Sequence, residues 1–204
     1  MLAGIVVSRE RHFDNGFEKQ LFMTTIESTR KDHIIAWLAA LAIAIHLIES
    51  AIPSPLPGVK PGLANVVTLM ALLLWGWRIA VWISLLRVLV GSLMLGTFLT
   101  PTFFLSLSGA CASLIVLALL QVFSRKLPGV AVGPVGYSIA ASLAHMTGQF
   151  YTAYWLFIPH KALFQLLPLL LTMALIFGMV SGVIAYRVVT NLNSSRESIS
   201  EFLR

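Results

Sequence analysis

A single carboxylate, Glu49, occurs between Ile34 and Thr190. Chains that fold in water carry charges along their whole length, about a quarter of all residues. Here the charged share is 11%, against 58% hydrophobic. The apolar residues form long runs, so the expected solvent is a bilayer. A formal charge of +6 does not mark a nucleic-acid binder, because no basic face interleaved with aromatic residues accompanies it. It fits cationic rims on the cytoplasmic side of a membrane. The lone Cys111 cannot form an internal disulfide and has no metal-ligand spacing, so it is expected as a small packing residue.

The runs divide into six spans near the roughly 20 residues a bilayer needs: 34–52, 62–77, 79–98, 102–123, 130–158 and 162–189. The second is short, and Gly133, Pro134 and Gly136 loosen the start of the fifth. Arg30 and Lys31, Arg78, Arg125 and Lys126, and Arg187 and Arg196 fall on one side. The opposite loops hold only Lys60 and Lys161. By the positive-inside rule both termini are cytoplasmic, which requires an even number of spans. The expected fold is an all-α polytopic membrane protein with six transmembrane helices. The expected organisation is a cytosolic extension over 1–33, a membrane domain over 34–190 and a cytosolic tail over 191–204. The start, MLAGIVVSRERHF, has too short an apolar run for a signal peptide; a helix lying on the membrane surface is an alternative for this extension.

Ala36, Ala40 and Ala44 make a small-residue stripe on the first helix. At about 100° per residue, His46 and Glu49 lie about 200° and 140° round from Ala44, facing away from it. Such stripes let helices approach closely in lipid, either within the chain or against a separate membrane subunit. Gly129/Gly133 and Gly178/Gly182 repeat the spacing, and the fourth span carries SLSGACAS; these are expected to serve internal packing.

Isolated polar residues should reach similar depth. His46 and Glu49 approach the outer end of the first span, Asn65 opens the second, Arg87 is midway along the third, and His145 and Gln149 share a face of the fifth. Gln165 is near the outer start of the sixth. An intramembrane Arg needs a partner or a wet cavity, and Glu49 is the one carboxylate available within the spans. An Arg87–Glu49 pair that only fixes helix order is one reading, and a functional site is the other. A metal site is poorly supported, since Arg87 and Lys60 would oppose a cation, and no catalytic triad or nucleophile elbow is recognisable. Cations, amides and histidines suit an anionic or strongly polar small molecule, with Glu49 for an amine, hydroxyl or proton. The loop with Pro53, Pro55, Pro57 and Pro61 is either a semi-rigid lid over this site or an ordinary connection. No cofactor is expected.

The pattern HLIE from His46, then PSP, then GVKPGLANVVTL from Gly58 resembles the Gx transporter family. That family is also named heptaprenyl diphosphate synthase component I, and it is similar to the S components of energy-coupling factor (ECF) transporters. The resemblance continues in Arg87 followed by a glycine-containing span, SLSGA from Ser106, AHMTGQ from Ala144, and LP from Leu167 with Gly178 and Gly182, covering about Ile34 to Val189. Two positions depart from it: Pro61 replaces an apolar residue, and Met146 an Asn.

The resemblance implies a six-helix, S-component-like bundle in a bacterial inner membrane that captures a small substrate from outside. His46, Glu49, Lys60, Asn65, Arg87, His145 and Gln149 are the candidate binding residues. It also implies that Ala36, Ala40 and Ala44 dock a transmembrane coupling subunit driven by separate ATPase subunits, since the chain has no Walker A motif. The synthase name implies Mg²⁺-binding aspartates, yet Asp14 and Asp32 are the only two present. The chain is therefore not expected to be the catalytic one. Binding or moving a prenyl diphosphate or quinone-related lipid is the alternative function, and a non-transporting subunit of an electron-transfer assembly is a third.

Overall fold

The computed structural model describes residues 30–51, 64–126 and 132–202. Among the described residues the regular elements are helices: α1 (Arg30–Ala51), α2 (Ala64–Trp75), α3 (Trp77–Met94), α4 (Pro101–Lys126), α5 (Pro134–Thr152) and α6 (Leu167–Phe202). A π-helical turn over Ala153–Phe157 and a 3-10 segment over Lys161–Leu166 lie between α5 and α6.

Among the described residues, four helical stretches are long and apolar enough to cross a membrane: Asp32–Ser50, Trp77–Met94, Pro101–Ser124 and Lys161–Leu192. The described part of the protein is all-helical, and the protein is multi-pass. The other two expected spans fall short of that standard for different reasons. With 12 residues, α2 is about 18 Å long at 1.5 Å per residue, against ~30 Å of hydrocarbon. By contrast α5 has 19 residues, but Ser138, His145, Thr147 and Gln149 dilute its apolar content.

The short α2 forms the centre of the packing. Its Val66, Val67, Leu69, Ala71 and Leu72 are buried together with Ile79, Ala80 and Ile83 of α3 and Ala42 of α1. Gly76 alone separates α2 from α3, at φ +93° and ψ −177°, a conformation that costs a residue with a Cβ on the order of 1–3 kcal/mol. The break thus comes before Arg78, which lies in the first turn of α3 and is exposed. At the other end of α3, Gly96 at φ +66° and Leu99 at φ +60° shape the turn into α4.

Small residues draw α4, α5 and α6 together. A Cβ on Gly148 of α5 would come 2.8 Å from the Ala112 Cβ and 2.9 Å from the Ser108 carbonyl oxygen on α4. On α6, one on Gly178 would come 3.0 Å from the Ile139 Cα, and one on Gly182 2.8 Å from the Val135 Cα. Lipid supplies no hydrophobic drive between helices, so such close approach is what associates them. The Gly178/Gly182 spacing thus serves internal packing. At Gly133 there is open space, and Gly129 lies outside the described residues. Cys111 is exposed, contrary to the packing role expected of it. Ser108 and Ala112 turn toward Gly148, and Cys111 is out of phase with them. The last helix also runs past Val189 to Phe202, since no Gly or Pro interrupts that stretch.

Candidate functional site

A cavity of about 220 Å³ lies between the C-terminal halves of α1 and α3, the turn after α3, and the first turns of α4. Helical spacing builds its walls. His46 and Ser50 are one turn apart on α1, Val88 and Ser92 on α3, and Thr102 and Ser106 on α4, so each helix contributes one stripe. Leu95, Thr97 and Phe103 complete it.

Three of its hydroxyls are tied to backbone. Ser50 Oγ donates to the His46 carbonyl at 2.7 Å, Ser92 Oγ to the Leu89 carbonyl at 2.8 Å, and Thr97 Oγ1 to the Ser92 carbonyl at 3.5 Å. Each spends its proton this way and keeps acceptor capacity. Thr102 and Ser106 are different: their hydroxyls bond no other described residue.

A buried polar cluster adjoins the cavity. Glu49, beside Ser50, is 4% exposed, and Arg87, beside Val88, is 6% exposed. Their opposite charges interact, as burial away from water demands. Among the described residues, the Arg87 Nε has no hydrogen-bond partner. His145 interacts electrostatically with both Arg87 and His46. Through His46, then, the cluster reaches the cavity wall.

His145 is held by its neighbours. Its Nε2 lies 3.1 Å from the Gln149 amide nitrogen. The Gly109 backbone also hydrogen-bonds the ring, and the tautomer sets which ring nitrogen donates. The His145 Nδ1 has no hydrogen-bond partner among the described residues. Gly109 provides the seat, since a Cβ there would come 2.8 Å from the His145 Cε1 and Nε2 and 2.9 Å from the Gln149 Cγ. Gly91 does the same for His46, with the ring Cδ2 3.1 Å from where its Cβ would be.

Five of the residues singled out in the sequence, His46, Glu49, Arg87, His145 and Gln149, thus belong to one neighbourhood. Asn65 is half-buried in the first turn of α2 and hydrogen-bonds none of them. Lys60 and the Pro53–Pro61 loop lie outside the described residues. Gln165 is exposed in the 3-10 segment. Sequence reasoning missed Ser50, Ser92, Thr97 and Thr102, because isolated Ser and Thr are ordinary in membrane helices. Their one signal was placement near the ends of apolar runs, one turn from another polar residue. Gly91 and Gly109 were noted as motif glycines without a role; their role is to make room for the two imidazoles. Among the described residues, no three of His, Cys, Asp and Glu gather as a metal ion would require.

The model of one protein family, heptaprenyl diphosphate synthase component I, matches residues 38–188. The chain belongs to that family. No curated protein and no solved structure matches it. The match to heptaprenyl diphosphate synthase component I runs from α1 to α6, so it takes in every residue of the cavity and of the cluster. On α1 of this family member, Ala36, Ala40 and Ala44 are exposed, whereas Ala39, Ala42 and Glu49 are buried.

Proposed function

We propose that this member of the heptaprenyl diphosphate synthase component I family is the membrane-embedded, S-component-like substrate-binding subunit of a bacterial inner-membrane transporter. It captures a small polar or anionic solute from the outer side. The cavity of about 220 Å³ between α1, α3 and α4 carries this reading. Its polar lining, drawn from three helices, offers hydrogen bonds to a small solute. Six spans, including the short α2 and the polar α5, place both termini in the cytoplasm and the α3–α4 turn outside, in keeping with the cations at Arg78, Lys126 and Arg187. His46, Glu49, Arg87, His145 and Gln149 support the site from within, with Lys60 and Asn65 at its rim. The exposed Ala36–Ala40–Ala44 face docks a transmembrane coupling subunit, which separate ATPase subunits drive.

The family's description favours a second reading, a component that handles a prenyl diphosphate or related lipid beside a partner synthase chain. Binding measurements on the protein in lipid nanodiscs, with labelled vitamins, small anions and isoprenoid diphosphates, separate the two. Saturable binding of a water-soluble compound is the expected result. Binding confined to the isoprenoid diphosphates would establish the lipid-handling role instead. Failure of all three classes, with stable co-purification of a redox partner, would favour the electron-transfer subunit.

A further inference from the structure

We infer that Thr102 and Ser106 of α4 are the residues that hydrogen-bond the solute in the cavity between α1, α3 and α4. They read the polar edge of a compact molecule whose remaining flank is apolar. This rests on the substrate-capture reading and deepens it by assigning the contacts.

Register on α4 places the two together. Both line the cavity, and residues one turn apart on a helix face have Cβ atoms about 5–6 Å apart. Thr102 is exposed and Ser106 half-buried, so the pair runs from the exposed end of α4 into the bundle. O–H···O distances of about 2.7–2.8 Å let one solute atom bridge hydroxyls at that spacing, or let two neighbouring atoms take one each.

Chemistry sets this pair apart from the other hydroxyls of the wall. Ser50, Ser92 and Thr97 direct their protons to backbone carbonyls, so what they offer a solute is acceptor capacity. Thr102 and Ser106 make no such bond with a described residue, and each can donate as well as accept. A carboxylate, an amide and a ring nitrogen are all served by such a pair, so the assignment holds for anionic and neutral solutes alike. Val88 of α3, Leu95 of the turn after it and Phe103 of α4 supply the apolar wall. Phe103 is buried and follows Thr102 directly, so polar edge and apolar wall meet at the start of α4. Release of water and dispersion at that wall favour a solute with an apolar body, which bare inorganic ions lack.

The test uses the full chain in lipid nanodiscs, with radiolabelled nicotinate, biotin and inorganic phosphate as probes. Equilibrium dialysis reads binding, and melting temperature is the folding control. Expected is saturable binding of nicotinate or biotin. Thr102→Val and Ser106→Ala should each weaken it about three- to tenfold, the range of one lost hydrogen bond. Thr102→Ser keeps the hydroxyl and should keep the binding. Ser113→Ala removes a hydroxyl of the same helix that donates to the Ala110 carbonyl, away from the cavity lining, and should leave binding unchanged. If a variant does not fold, Ser106→Cys in a Cys111→Ala chain is read instead, where a bound probe should protect the new thiol from a methanethiosulfonate reagent. Unchanged binding in folded Thr102→Val and Ser106→Ala, or a thiol left unprotected, would overturn the assignment and leave substrate capture standing. Binding of phosphate alone would overturn the apolar flank. If no probe binds, substrate capture and the assignment fall together.

Discussion

Gly109 on α4 and His145 on α5 meet so closely that no side chain fits between them: a Cβ on Gly109 would lie 2.8 Å from the imidazole Cε1 and Nε2. In an exposed helix, Gly→Ala stabilises by about 1 kcal/mol. Here overpacking, typically ~1–3 kcal/mol, should outweigh that gain. Gly109→Ala is therefore expected to lower the melting temperature in detergent and to break the Gln149–His145 contact. Gly133→Ala, at a position with open space around it, should change stability by less than about 0.5 kcal/mol. Equal effects at the two positions would mean that the seat for His145 is not tight.

The buried Glu49–Arg87 pair should behave as a unit. Glu49→Gln or Arg87→Met strands one charge away from water, a loss of about 3–5 kcal/mol for a buried pair. The double substitution removes both charges and should cost clearly less than the sum. A double-mutant cycle by unfolding in detergent measures this, and additive losses would show that the two residues are not partners.

Close approach of α6 to α5 depends on Gly182, whose Cβ would come 2.8 Å from the Val135 Cα. Because the obstacle is backbone, no rotamer change relieves it. Gly182→Val is expected to destabilise by at least ~1–3 kcal/mol and to separate the α5–α6 pair, read by cysteine crosslinking between the two helices. Unchanged crosslinking efficiency would contradict the packing described.

Ala40 lies on the exposed face of α1. Ala40→Trp should leave the melting temperature within what ~0.5 kcal/mol produces, as surface substitutions do, and should abolish pull-down of a coupling subunit. A folded variant that still binds its partner would remove the alanine face from the docking interface.

Much of this architecture was legible in residue order. Glu49 as the one carboxylate from Ile34 to Thr190 was enough to require a membrane and to name its partner, since Arg87 had no other counter-charge within the spans. Phase alone put Ala36, Ala40 and Ala44 on one side of α1 and Glu49 on the other, because helical periodicity is a local property. Span lengths were less well determined. Local geometry decided them: the left-handed φ at Gly76 stops α2 after 12 residues, and α6 runs on to Phe202 with no Gly or Pro to interrupt it.

Residue order by itself therefore determined the class, the helical content and which side of α1 is polar, because each follows from transfer energies and a fixed period, and it offered Glu49 as a counter-charge for Arg87. Only the tertiary structure decided where space remains. The cavity is bounded by hydroxyls from α1, α3 and α4 that lie far apart in the chain and carry no distinctive spacing across it. The seats at Gly91 and Gly109 exist only because particular helices cross at those two residues. Volume and close approach arise between helices, and no single helix encodes them.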